Sequence, residues 1–450
     1  MDPQKRYNLL MTYPLSRICL HLRTVCLGLW LLSSVSVLIA QNNGPEGVKT
    51  RGDRLTLKLA VIGPGDELYF WWGHIALVIE DEAAGNARFY DYGLFSFENE
   101  HFFTNFATGR LLYSCGASPA ERNFEVYRRT NRDITLYTLD IHPAKREEVR
   151  RFAETNILPE NRDYYYHHFK DNCATRIRDI VDLATEGQFK ERFAAAPGRY
   201  TLRQHVRRHT WFSPFMDWLL NFWMGQDIDT PITIWQEMFL PSEIARRIEG
   251  FRYRDPSGVE RSLVSSKEIL NKARNRPAVL EIPHRQWPWE LLAGLGAALV
   301  LGLCMAQKKN HPARYQILFG ASQSILGLFF GIVGTLLLFM TLFTNHDYTY
   351  RNSNILYINP LLLAAIPLGI IIAAGKEAKK RFFAEQLLRA LWTYVLFGCI
   401  LSIIIKLLPG FYQQNQVTQA LVIPFALTLS FIPQWVKRVL ENAGNRGNLR

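Results

Sequence analysis

Beyond about residue 287 the apolar residues gather into five runs, near 288–305, 315–343, 355–374, 387–408 and 417–435. Each approaches the roughly 20 residues a helix needs to cross a bilayer, so an all-α, five-helix transmembrane domain is predicted over 287–436. The loops between the runs alternate in charge. Lys308, Lys309 and Arg314 lie in the first, Lys376, Lys379, Lys380 and Arg381 in the third, and Lys437, Arg438, Arg446 and Arg450 in the tail at 437–450. The second has Arg351 beside Asp347, and the fourth, PGFYQQNQ, has no charge. Basic loops stay in the cytoplasm, which places the domain before the first run on the opposite face. The N-terminus asks for the same arrangement: within residues 1–40, Arg17 and Arg23 precede the apolar stretch TVCLGLWLLSSVSVLIA at 24–40, the form of a signal peptide or signal anchor. Leu38 and Ala40 make a poor cleavage site, so its removal stays open.

Between these segments, residues 51–286 read as a folded domain of mixed α and β structure. LYFWWGHIALVIE at 68–80 has the composition and length of a strand, with His74 on the face of Trp72, Ala76 and Val78, and Ile75, Leu77 and Ile79 on the other. Further strands are expected at 87–92, 110–114, 124–128 and 135–141, and a helix from Pro143 to Glu154. In YYYHHFKDNCATRIRD, from Tyr164 to Asp179, Asp171 and Asn172 are N-cap residues, and Ile177, Ile180, Val181 and Ala184 recur at helical spacing from Cys173. A helix is therefore predicted to begin at Cys173, with that side chain in the first turn of its buried face.

This placement carries chemistry. Unpaired N–H groups and the helix dipole favour an anion at a helix start, which makes Cys173 a candidate nucleophile. Thiol catalysis also needs a base and a group that orients it. His74, inside a strand, is the candidate base, and Asp91, on the next strand, the candidate orienting group. A strand histidine followed by a helix-start cysteine makes a papain-like site in reversed order. The bland reading of Cys173 is a core residue or a disulfide with Cys115, the other cysteine of the exported part. The net charge of +12 sits largely beside the apolar runs, and with no nucleic-acid motif it reads as membrane topology, not nucleic-acid binding. No zinc-ligand spacing surrounds His167 and His168, so neither metal nor other cofactor is expected.

At these residues the chain resembles a known family. GHIAL at 73–77, FYDYGLFSF at 89–97, LPENRDYYYHHFKDNCATRIRD at 158–179 and WQEMFLP at 235–241 look like the exported domain of the Lnb family, and His346, Asn352, Asn354 and INPLLL at 358–363 extend the likeness into the membrane half. The family comprises bacterial lipoprotein N-acyltransferases, so the resemblance implies an α+β, circularly permuted papain-like (NlpC-like) domain on the periplasmic side of a multi-pass inner-membrane protein. It implies that Cys173 takes an acyl chain from a phospholipid as a thioester and passes it to the α-amine of a diacylglyceryl-cysteine on a lipoprotein, with His74 moving the protons. The Cys173 N–H is then the first oxyanion donor. Asn172 and Asp171 are read as caps, with a lesser option of a direct role for Asn172. Arg176, His346, Asn352 and Asn354 are candidates for holding the lipid headgroup. The rivals are a membrane-anchored NlpC-type cell-wall peptidase and a non-catalytic scaffold that binds lipoproteins.

Overall fold

The computed structural model describes residues 49–95, 102–431 and 434. The N-terminal apolar stretch, the basic tail and the end of the fifth run lie outside them. Residues Arg54–Arg450 form one unit.

Seven strands make the exported part's main sheet: β1 (Leu55–Ile62), β2 (His74–Asp81), β3 (Asn86–Leu94), β4 (Leu112–Pro119), β5 (Ile134–Leu139), β6 (Asp163–Tyr165) and, after a separate ribbon of β7 (Arg252–Arg254) and β8 (Glu260–Ser262), β9 (Val264–Asn271). Their order is β6-β4-β3-β2-β1-β5-β9, and all neighbours are antiparallel. Apolar residues on both sides of the pleat bury both faces. Leu55, Leu57 and Leu59 of β1 with Ile75, Leu77 and Ile79 of β2 form the larger core. Against it pack helices α3 (Pro143–Asn156), α4 (Cys173–Ala184) and α7 (Pro241–Ile248), through Val149, Ile177, Val181 and Ile244. On the other face, Ala76, Val78 and Phe89 meet Ala120 and Phe124 of helix α2 (Ala120–Arg129). A short helix α1 (Phe102–Ala107) precedes β4, and α5 (Leu202–Thr210) and α6 (Pro214–Trp223) lead towards the membrane half.

Two expectations are corrected here. The predicted strand at 124–128 is part of α2, because Ala120 and Phe124 are buried one helical turn apart; aromatic and β-branched composition alone had pointed the wrong way. The strand expected from residue 68 begins only at His74. Leu68–Phe70 is a single 3₁₀ turn, and Gly73, at φ 78°, brings the chain so close to the Ile62 carbonyl that a β-carbon would stand 2.8 Å from it. Only glycine takes that conformation without strain. Trp72 is therefore outside the alternation, while His74 keeps the face of Ala76 and Val78.

In the membrane half, four segments are long and apolar enough to span a bilayer: Trp287–Asn310, Pro312–Phe343, Ser353–Ala374 and Ala378–Leu407. The predicted fifth is a 14-residue helix, Gln416–Leu429, with Pro424 inside it. Among the described residues there are thus four segments of spanning length and one shorter apolar helix, whose run continues past the last described residues. Small residues let the backbones close up, as where a β-carbon on Gly320 would lie 2.4 Å from the Gly369 carbonyl.

Candidate active site

The local sequence explains why a helix starts at Cys173. The Asn172 side-chain oxygen accepts from the Thr175 N–H at 2.9 Å, and the Asn172 N–H donates to Thr175 Oγ1 at 2.8 Å, a reciprocal capping box. The Asn172 amide nitrogen donates to the carbonyls of His168 and Phe239 at 2.8 and 3.0 Å, so this side chain is spent on structure. Asp171 is not a cap. It lies one residue too early, and its carboxylate receives Arg176 Nε and Nη2 at 2.8 and 3.0 Å. That fork holds the Arg176 guanidinium 3.7 Å above the Tyr164 ring, braced against the helix start. The first-turn N–H groups of Cys173 and Ala174 have no carbonyl to meet within the helix.

His74 reaches the same place from the start of β2. Its Nε2 lies 2.9 Å from Asp91 Oδ1, with the side chains 14% and 13% exposed. The approach is bent from the line of an ideal hydrogen bond, and neither atom has another polar partner among the described residues. With Nε2 turned to Asp91, Nδ1 is the nitrogen left for a thiol. The three side chains converge at Gly93, where the β3–β4 register shifts between Tyr92 and Leu94. A β-carbon on Gly93 would lie 3.6 Å from His74 Cε1, 3.7 Å from Cys173 Cβ and 3.9 Å from Asp91 Oδ1. The bulge thus lets the chain pass between base and nucleophile without filling the space between them.

Burial by itself opposes charge on His74, but the Asp91 carboxylate, followed by Tyr127 and Cys173, outweighs it and holds the imidazole pKa well above its ordinary value. Burial also pushes the Tyr127 phenol up, so near neutral pH it is the Asp91 carboxylate that chiefly holds the charge on His74. Three tyrosines wall the site. Tyr113 stacks on Tyr166 at 4.3 Å, and the Tyr164 hydroxyl is buried with no hydrogen-bond partner among the described residues. Burial, and after it the charge of Cys173, raises all three phenols, Tyr113 to about 12, so they remain proton donors. Cys115 and Cys173 are both free thiols; the Cys115 sulfur donates to the Asn156 carbonyl at 2.9 Å, and burial raises its pKa.

Of the candidate headgroup residues, Arg176 stands in the Cys173 helix, while the side chains of Asn352, Asn354 and His346 are taken up elsewhere. Asn352 Nδ2 donates to the carbonyls of Phe222 and Trp223 at 2.8 and 3.0 Å, and Asn354 Nδ2 to Phe222 at 2.8 Å. These are the unpaired carbonyls at the C-terminal end of α6, so both asparagines tie the exported part to the membrane half instead of facing a lipid. His346 is likewise engaged, Nε2 with the Phe106 carbonyl and Nδ1 with the Tyr348 hydroxyl, each at 3.0 Å. Sequence reasoning missed Asp347. Its carboxylate accepts from His167 Nε2 at 2.8 Å and pairs with Lys170, gripping the loop that leads to Cys173. His167 Nδ1 accepts the Phe169 and Lys170 N–H groups at 3.1 Å, which fixes the tautomer that donates to Asp347. An acidic residue in a loop on the exported side was a visible signal; its partner, 180 positions away, was not.

The fold and site define a membrane protein whose exported α/β domain brings a cysteine, a histidine and an aspartate together at one end of its sheet. Residues 48–208 match the Lnb N-terminal periplasmic domain, and residues 291–432 match the Lnb transmembrane domain. The chain belongs to the Lnb family. No curated protein and no solved structure matches it significantly.

Proposed function

We propose that this protein is a thiol-dependent lipoprotein N-acyltransferase of the inner membrane, which moves an acyl chain from a phospholipid through a Cys173 thioester to the α-amine of the N-terminal diacylglyceryl-cysteine of a lipoprotein. The observation that carries the reading is the convergence of Cys173, His74 and Asp91 at Gly93 in a chain of this family.

The Cys173 thiolate, its proton held on His74 Nδ1, attacks the ester carbonyl of the phospholipid. The tetrahedral oxyanion lies against the Cys173 N–H at the helix start, with the neutral Tyr164 hydroxyl as a second donor. The carbon–oxygen bond breaks, His74 protonates the departing lysophospholipid alkoxide, and an acyl thioester remains. The neutral lipoprotein amine then attacks the thioester. Its carbon–nitrogen bond forms, the carbon–sulfur bond breaks, and the amine's proton passes to His74, restoring the ion pair. Asp91 keeps the imidazole oriented and charged. The aromatic wall of Tyr113, Tyr164 and Tyr166 keeps water off the thioester, and the permuted papain-like order, strand histidine before helix cysteine, suits this chemistry.

The test is expression in cells lacking their own lipoprotein N-acyltransferase, followed by mass spectrometry of lipoprotein N-terminal peptides. A gain of one acyl chain that disappears with Cys173→Ala is expected. No gain, with cleaved cell-wall peptides instead, favours a peptidase; a gain that persists in Cys173→Ala favours a scaffold for another enzyme.

A further inference from the structure

A cavity of about 230 Å³ opens beside the site, lined in part by Leu94, Phe106, Arg110, Leu112, Arg162 and Asp163. It lies on the face of the sheet that carries Asp91. Asp91 pairs with Gly116 on β4, and Ser114 and Leu112, two and four residues along the strand, share that face. Leu94 bridges the two: its Cδ1 would be 2.8 Å from a β-carbon on Gly116, so the cavity starts where the catalytic face ends.

Among the described residues its lining carries more positive than negative charge. Arg162 lies 3.8 Å from Asp163, which also accepts from the Ser114 hydroxyl, while Arg110 has no ion pair or side-chain hydrogen bond among the described residues. Among the described lining residues, two guanidinium groups stand against one carboxylate, an excess of one positive charge that complements one phosphate diester. Phe106 and Leu112 give its rim an apolar part, exposed by 50% and 45%. This rim is fixed to the membrane half. The Asn345 N–H donates to the Thr108 carbonyl at 2.8 Å, and Gly109, at φ 74°, brings its backbone so close that a β-carbon would stand 2.8 Å from His346 N.

We infer that this cavity is the headgroup site of the donor phospholipid, with Arg110 and Arg162 on the phosphate diester and Leu94, Phe106 and Leu112 around the glycerol, between the phosphate and the ester carbonyl that Cys173 attacks. The inference deepens the acyltransferase reading and rests on it for the identity of the donor. It also replaces His346, Asn352 and Asn354, whose polar atoms are engaged by the protein itself.

The experiment uses the full chain in detergent, carrying Cys173→Ala, titrated with dihexanoyl-phosphatidylglycerol. Adding Arg110→Gln and Arg162→Gln should weaken binding about tenfold or more, the loss expected for a charge-assisted contact, while Arg110→Lys keeps most of it and Arg129→Gln, on the exposed side of α2, changes nothing. In the Cys173 enzyme the same double variant should raise KM for the lipid with kcat nearly kept. Unchanged affinity and KM overturn the site. Equal competition by inorganic phosphate also overturns it, as a general anion site. Weakened binding without acyl transfer in any variant leaves the lipid site standing and removes the acyltransferase reading; transfer with unaltered binding does the reverse.

Discussion

His74 carries two opposed influences, and its partner decides between them. Burial favours the neutral ring and Asp91 the charged one, with the balance well above the ordinary histidine value. The folded state therefore gains stability from the imidazolium in full below about pH 6.5, the unfolded value, and loses it as pH rises through the raised folded pKa. Asp91→Asn removes the larger opposing charge and lets burial dominate. Its thermal midpoint should fall more at pH 6 than at pH 9, and the alkaline limb of the acyl-transfer pH profile should move down, with turnover lower by on the order of 100-fold. An unmoved limb would show that Asp91 neither charges nor orients the base. Tyr164→Phe removes one hydroxyl from a place where that hydroxyl has no structural partner. It should leave the melting temperature nearly unchanged and lower kcat by about 100-fold, the smaller end of an oxyanion donor's contribution; unchanged kcat would return Tyr164 to the wall alone.

The helix that presents Cys173 was legible because its signals are local. An asparagine cap, a threonine three residues later and apolar residues at helical spacing all lie within 12 residues of one another. Asn172→Ala breaks the capping box and strips the Asn172 nitrogen from two buried carbonyls, so a loss of about 2 kcal/mol or more is expected in chemical denaturation; a loss below about 0.5 kcal/mol would mean that water replaces both. Elements whose identity depends on distant partners were not legible. Leu68–Phe70 reads as strand by composition, and only the approach of Gly73 to Ile62 makes it a turn. Within the 120–129 helix, the stretch FEVYR at 124–128 is rich in strand-forming types, yet it is helical because its buried face lies against β2 and β3. Asn352 and Asn354 looked like headgroup ligands because α6, about 130 positions earlier in the chain, is invisible in their own neighbourhood.

At the scale of the whole molecule, the loop at 344–348 joins the membrane helices to the catalytic loop. Asp347 holds His167 and Lys170, three to six residues before Cys173, and Tyr348 meets the rings of His167, His168 and Phe169 edge-on. The His168 ring, exposed on one side, packs edge-on against Tyr166 and Tyr348; desolvation by these neighbours, followed by the charges of His167 and His346, lowers its pKa to about 4, so it stays neutral. Asp347→Asn should leave the protein in the membrane at normal abundance but loosen the Tyr166–Asp171 segment, seen as faster amide hydrogen exchange there and a several-fold drop in acyl transfer. Protection and turnover both unchanged would mean that the exported domain holds its nucleophile without the membrane half.

The central claim is that Cys173 carries the acyl group. The full-length protein is incubated with phospholipid bearing a labelled acyl chain, digested without reductant, and its peptides weighed. The account predicts a hydroxylamine-labile acyl group on the Cys173 peptide, absent in Cys173→Ala and strongly reduced in His74→Ala, which leaves the protein and appears on the α-amine when a diacylglyceryl-cysteine peptide is added. An acylated lipopeptide formed at the same rate by Cys173→Ala, or a labelled phospholipid consumed with no acyl group ever found on Cys173, would contradict it.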